Sequence, residues 1–323
     1  MILESILIVS FALILDLLFG DPKNKFHPTS WIGTLIAKLV PIVKNKSTIL
    51  EKIGGIVLVI VVTSLVTIIL VYLNIGIQYI AVEIIVSILL VVSGTILLKT
   101  TIAIRGMEKH ALAVMDSIEL NDLEAARVRL SMIVKRNTKD LDKNHVLSAT
   151  LESISENTVD GVTGPLFYFA IFGLPGAFVY RIVNTFDSMI GYKTNLFRNI
   201  GWFGANCDKV LNYLPARITS LVIIIGALFL HNDWKKSYQI MKRDGKNTES
   251  PNAGYPMAAL AGALGARFEK IGHYSVGEGN LVLTKTHLHS AIALMKLTSF
   301  LFCALFTIPV IIALSYLGWW IYV

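Results

Sequence analysis

IGGIVLVIVVTSLVTIILVYL, residues 53–73, runs for 21 residues without a charge. As a helix it is about 32 Å long, enough to cross a hydrocarbon core of about 30 Å. Beyond a turn at Asn74, Ile75–Leu98 is a second apolar span with one acid, Glu83. Leu297–Tyr322 is a third and carries no charge. Its Trp319, Trp320 and Tyr322 are the amphipathic rings that settle at a membrane–water interface. Ile2–Phe19 is a fourth candidate, interrupted by Glu4 and Asp16. It has neither the basic start nor the small-residue cleavage site of a signal peptide.

The composition agrees with a membrane chain. Of 323 residues, 54% are hydrophobic and 16% charged, against about 25% charged in soluble domains. This excludes a disordered protein, which needs low hydrophobicity, and argues against a soluble enzyme with one ordinary core. Cys207 and Cys303 lie far apart, so neither a disulfide scaffold nor a cysteine-rich zinc site is expected. HExxH, GxSxG and the two common glycine-rich phosphate motifs are absent from the sequence. The net charge of +7 does not call for nucleic acid as a partner, because the basic residues sit in blocks between apolar segments. Residues 99–163 and 231–296 together hold eighteen of the 29 lysines and arginines. Both are therefore expected in the cytoplasm, with the two chain ends outside.

Two apolar stretches are shorter or broken. Pro165–Val183 is punctuated by Gly173, Pro175 and Gly176, and Ala216–Leu230 follows Pro215. Such segments at membrane depth line protected cavities, so both are expected to re-enter or break, two ordinary tilted spans being the alternative. The expected fold is all-α and polytopic: about four to six membrane helices, some broken or re-entrant. Residues 1–323 are read as a single integral membrane domain with a cytoplasmic helical insertion, 99–163, and a cytoplasmic loop, 231–296.

The polar segments carry the candidate chemistry. Asn121 with Glu124 reads as a capping box opening a helix over Asp122–Lys135. A second helix is expected over Asn144–Thr158, ending near Gly161. Glu152 and Glu156 are four apart and share one helical face, and Asp160 would extend it. Like charges at this spacing repel unless a cation lies near. A solvated helix face is the plain alternative, but Asn157 and the apolar Pro165–Phe169 carry these acids to the membrane surface. In Tyr180–Tyr192, Asn184, Thr185, Asp187 and Ser188 follow directly on an apolar stretch, where unpaired polar groups are costly. A capped turn would explain them, and so would a cavity with a ligand. With Asp208, Asn212 and Arg217 they form an oxygen-rich set suited to Mg²⁺ and phosphate rather than zinc. Ser250–Gly265 is rich in small residues, which permit close helix packing. His27, between Gly20–Pro22 and Pro28, is read as structural.

Six ordered blocks give the chain a family resemblance. They are DLLFGDP with HP and WIG at Asp16–Gly33, RLSMIVKRNT at Arg129–Thr138, and ESISENTVDGVTGPLFY at Glu152–Tyr168. YRIVNTFDSMIGYK at Tyr180–Lys193, NYLPARI at Asn212–Ile218 and SPNAGYPMAALAGALG at Ser250–Gly265 complete the set. Over nearly its whole length the chain resembles the cobinamide-phosphate synthases of cobalamin biosynthesis, known as CbiB or CobD. It departs from them at Lys135-Arg136-Asn137-Thr138, where the family usually has Gly-Arg-Asp-Thr, and at Asp208-Lys209, where two acids are usual.

The resemblance implies an ATP-dependent ligase that joins the free propionate of adenosylcobyric acid to an amino alcohol of the aminopropanol type, or to its phosphate. ATP and Mg²⁺ are then cosubstrate and cofactor, and the corrinoid is a substrate. The chemistry needs an activated acyl group, a base for the amine proton and cations for the phosphates. Glu152, Glu156, Asp160 and Asp187 are the candidate catalytic residues, and Asp187 and Asp208 the candidate metal ligands. Arg136, Asn157, Asn184, Thr185, Ser188, Lys193, Asn212, Arg217, Ser250 and Asn252 are the candidate substrate and phosphate ligands. The expected surroundings are the cell membrane with the site facing the cytoplasm. A second copy of the chain, or other corrin-pathway enzymes, are the protein partners left open. Two other classes share some of these marks. A transporter also has broken apolar segments, but should carry inverted repeats, and the sequence has none. A membrane sensor or scaffold is the other, since a distant branch of the superfamily is associated with β-lactamase induction.

Overall fold

The computed structural model describes residues 2–22, 24–279 and 281–319. In chain order, α1 (Ile2–Phe19), α2 (Pro28–Val43), α3 (Thr48–Gln78) and α4 (Glu83–Lys99) are followed by α5 (Ile104–Glu119), α6 (Leu123–Leu130) and α7 (Lys143–Thr158). A π-helical turn, Val159–Thr163, leads into α8 (Gly164–Ile190), α9 (Trp202–Leu211), α10 (Tyr213–Phe229), α11 (Trp234–Asp244) and α12 (Gly254–Leu264). Two strands, β1 (Arg267–Lys270) and β2 (Tyr274–Gly277), pair antiparallel before α13 (Lys285–Phe302) and α14 (Ile308–Tyr316). The fold is therefore all-α apart from one short hairpin.

The chain clusters into two compact units. One holds Met1–Ile102, Gly164–Leu211 and Cys303–Val323; the other holds Ala103–Thr163 and Asn212–Phe302. The polar segments 99–163 and 231–296, distant in sequence, thus fall almost wholly into the same unit.

Five helical stretches among the described residues are long and apolar enough to cross a membrane: Ile2–Phe19, Thr48–Gln78, Glu83–Glu119, Lys143–Ile190 and Lys285–Tyr316. A sixth exists if α9 and α10, broken at Asn212, count together. In the first unit α3 buries Leu58, Val59 and Val62 against Ile32 and Ile36 of α2 and Phe178, Ile182 and Phe186 of α8. Its other side leaves Ile53, Ile60, Val61, Ile68 and Ile69 at least half exposed. Water does not tolerate an apolar stripe of that size, and lipid does. Asp16, wholly buried in the apolar α1, is matched by Lys99 at the end of α4, whose Nζ lies 3.5 Å from Asp16 and 3.0 Å from Asp21. His27 Nε2 is 3.4 Å from Asp21. Burial pushes the Asp21 carboxyl up, but His27 and Lys99 outweigh it and hold the group below the usual carboxylate range.

Several local expectations are corrected. The chain turns at residues 79–82 rather than at Asn74, because one asparagine does not stop a helix whose apolar residues continue through Ile75 and Ile77. Asp122, not Asn121, caps α6: its carboxylate accepts the Ala125 N–H at 2.9 Å. Asn121 instead has φ +58°, a left-handed conformation that asparagine tolerates. α6 ends at Leu130, short of Lys135. Gly161 does not end the helix after Glu156; a π turn absorbs it and the helix continues. Of the aromatic belt, Trp319 is described and exposed, while Trp320 and Tyr322 lie outside the described residues.

The break in Pro165–Val183 is a sharp reversal. Gly173 has φ +64° and ψ −155°, a conformation open to glycine and strained for other residues. Around it α8 folds back on itself. Tyr168 stacks on Tyr180 with ring centroids 5.4 Å apart, and Gly164 lies so close to the Tyr180 ring that a Cβ would overlap it. In a straight helix residues 164 and 180 would be about 24 Å apart. The first arm, residues 164–172, is about 14 Å long, half a hydrocarbon core.

Candidate functional site

In the second unit the site is built on α7. The Asp142 side chain caps this helix by accepting the His145 N–H at 3.0 Å. From there Ser148, Glu152 and Glu156 fall on one stripe at intervals of four residues. Glu152 is 4% exposed, so its charge requires partners. It has three. Ser148 Oγ donates to Oε1 at 2.8 Å, while Arg136 Nη2 and the Tyr274 hydroxyl donate to Oε2 at 2.9 and 2.8 Å. The hairpin is tied to the same helix by a fourth bond, in which Ser148 Oγ accepts the Glu269 N–H at 2.7 Å. Burial first, then the carboxylates of Glu152 and Glu156, push the Tyr274 phenol far up, so it stays a donor.

Glu156, one turn further on, is exposed. The charges that reach it come from Glu152 and from Lys135, Arg136 and Lys270. Asn157 and Asp160 follow, both half-buried, with Asn157 Nδ2 donating to the Ser153 carbonyl at 3.0 Å. The arrangement is one carboxylate locked by donors and one open carboxylate beside three cations.

A second cationic group in this unit is Arg217 of α10. Its guanidinium carbon lies 3.5 Å from the Tyr213 ring centroid and 4.5 Å from that of Tyr255. Nη1 donates to the Tyr213 carbonyl at 2.7 Å and to Asn252 Oδ1 at 3.2 Å. Ser250 Oγ accepts the N–H groups of Asn252 and Ala253, both at 3.3 Å, and so shapes the chain entering α12. A guanidinium stacked against aromatic rings keeps its planar fork of donors for a carboxylate or phosphate. Asn212, buried, sits at the head of α10.

The remaining candidates belong to the first unit. Asn184, Thr185, Asp187 and Ser188 lie on the second arm of α8, not in a turn. Asn184 Nδ2 donates to Asp208 Oδ1 of α9 at 3.2 Å, so the fold brings these two together. Thr185 and Ser188 donate their hydroxyls to the carbonyls of Arg181 and Thr185, at 2.7 and 2.9 Å. Lys193 is exposed beyond the helix end.

Among the described residues, no three His, Cys, Asp or Glu side chains gather into a metal-binding group. Mg²⁺ that arrives on nucleotide phosphates needs only one or two protein carboxylates. Of the two candidate metal ligands, Asp208 meets the Asn184 amide, and Asp187 lies on the same arm of α8 as Asn184.

Tyr274 and Ser148 were not legible as site residues from motifs. The signal for Tyr274 was the alternation in RFEK and YSVG on either side of IGH, which reads as a hairpin whose turn uses Gly272 at φ +73°.

A family profile described as "CobD/Cbib protein" matches residues 9–295. The probable cobalamin biosynthesis protein CobD of Methanothermobacter thermautotrophicus is 40% identical over 300 residues, 93% of this chain and 96% of that protein. The cobalamin biosynthesis protein CobD of Dehalococcoides mccartyi is 38% identical over 276 residues, 85% of this chain and 88% of its own. A probable counterpart in Thermoplasma volcanium is 34% identical over 315 residues, 96% of this chain and 99% of its own. No solved structure matches.

Proposed function

Because this chain belongs to the CobD/CbiB family of cobalamin-biosynthesis proteins, we propose that it forms an amide bond in that pathway. The substrates are the free propionate of adenosylcobyric acid and an amino alcohol or its phosphate, with ATP hydrolysed to ADP and phosphate. A carboxylate is a poor acyl donor, so its oxygen first attacks the γ-phosphorus of ATP and ADP leaves. The amine nitrogen then attacks the acyl carbon of the resulting acyl phosphate. The nitrogen gives its proton to a protein carboxylate, and phosphate departs with the acyl C–O bond.

The observation that carries this reading is the unequal acid pair on α7. Glu152 is occupied by three donors, while Glu156 is exposed beside Lys135, Arg136 and Lys270. Glu156 is the proposed acceptor of the amine proton, and the cations are the proposed stabilisers of the tetrahedral oxyanion and the leaving phosphate. Asp160 and Asn157 extend the same polar stretch. Arg217, with Asn252 and Ser250 at the start of α12 and Asn212 at the head of α10, is a proposed phosphate site. In the first unit Asp187 and Asp208 would hold Mg²⁺, with Asn184, Thr185, Ser188 and Lys193 toward phosphate oxygens. Bound there, the ion would supply charge neutralisation on the phosphates.

The test is incubation of membranes carrying the protein with adenosylcobyric acid, aminopropanol phosphate, ATP and Mg²⁺, followed by mass spectrometry of the corrinoid. The expected product is heavier by the amine less one water. The Glu156→Gln variant, at normal protein level, is expected to lose about 100-fold or more in turnover. No product from the wild-type chain would overturn the reaction. Unchanged turnover by Glu156→Gln would remove Glu156 from the role of base.

A further inference from the structure

Tyr274 comes from β2, 122 residues after Glu152, and its hydroxyl donates to Glu152 Oε2, which also accepts from Arg136. The pairing of Lys270 with Tyr274 places this side chain at the closed end of the hairpin. The opposite strand supplies the Glu269 N–H to Ser148. Both strands thus grip one stripe of α7, and both oxygens of Glu152 are taken. A carboxylate held in this way has both oxygens engaged by donors and offers neither to a substrate. It remains a fixed negative charge. A fixed negative charge one helical turn away favours proton uptake by a neighbouring carboxylate.

We propose that Tyr274 is a positioning residue of the amide-forming reaction: with Arg136 and Ser148 it holds Glu152 as an anchored anion that works on Glu156. The inference rests on the ligase reading and deepens it, dividing the two acids into a charge that stays and a base that moves a proton. Nothing in the sequence motifs separates them, since both carboxylates lie in one conspicuous block. The asymmetry comes from Arg136, Ser148 and the hairpin's Tyr274 together.

The test compares Tyr274→Phe and Glu152→Gln with wild type in the same membrane assay, reading kcat and KM across pH together with the melting temperature. Glu152→Gln keeps the size and removes the charge. It is expected to lower kcat at neutral pH at least tenfold and to move the acidic limb of the kcat profile to lower pH. The KM for ATP should stay within about twofold. Tyr274→Phe is expected to shift the limb in the same direction by less, because Arg136 still holds Oε2. A hairpin that merely braces α7 would lower the melting temperature of both variants and leave the pH profile of the folded enzyme unmoved. That result would overturn the inference alone. Absence of amide product from the wild-type chain would overturn the ligase reading and this inference with it.

Discussion

Asp187 follows an apolar arm and precedes Met189 and Ile190, so its carboxylate is partly withdrawn from water. Withdrawal disfavours the charge unless a cation compensates. The proposed Mg²⁺ role and a purely local role differ in what asparagine does here. Asp187→Asn keeps the size and most hydrogen-bonding capacity while removing the charge. As a metal ligand, its replacement should cost about 100-fold or more in turnover, partly recovered at high Mg²⁺. Full activity of the variant at low Mg²⁺ would leave Asp187 only a shaping role. At this scale the spacing of the acids was legible in the sequence and their partners were not. The spacing of Glu152 and Glu156 gave their common face. It could not give Tyr274, whose hydroxyl meets Glu152 only because of a hairpin far along the chain. Nor could it separate Thr185 and Ser188 from Asn184: the first two spend their protons on helix carbonyls, while the amide of the third reaches Asp208.

Among the elements, the reversal in α8 was legible because glycine and proline leave marks in sequence. Gly173 and Pro175 interrupt the apolar run, and a positive φ at Gly173 executes the turn. The contacts that close the two arms left no such mark. Gly164 approaches the Tyr180 ring so closely that any side chain must displace it. Gly164→Val is therefore expected to destabilise the protein by about 1–3 kcal/mol or more, read as a lower melting temperature in detergent. Adding Tyr180→Leu should restore part of the loss by making room. An unchanged melting temperature for Gly164→Val would mean that the two arms do not pack as described. The helix boundaries missed by sequence have equally plain causes. Asn74 carried no power to stop α3, and a π turn let the chain pass Gly161 without breaking.

For the whole molecule, composition and apolar blocks were enough to read a multi-pass helical membrane protein. Its clustering into two compact units was not legible, because it depends on contacts between distant residues such as Ser148 with Glu269 and Glu152 with Tyr274. Within the second unit the polar insertion and the late polar loop come together, and the acids of one meet the hairpin of the other. The proposed chemistry makes one demand that no transporter or scaffold would share: an oxygen of the propionate must pass to phosphate when the amide forms. The direct measurement uses adenosylcobyric acid labelled with ¹⁸O in both propionate oxygens, with ATP, Mg²⁺ and aminopropanol phosphate. Activation through an acyl phosphate predicts amide product retaining one ¹⁸O and inorganic phosphate carrying the other. Amide formed with unlabelled phosphate, or formed without ATP, would contradict it.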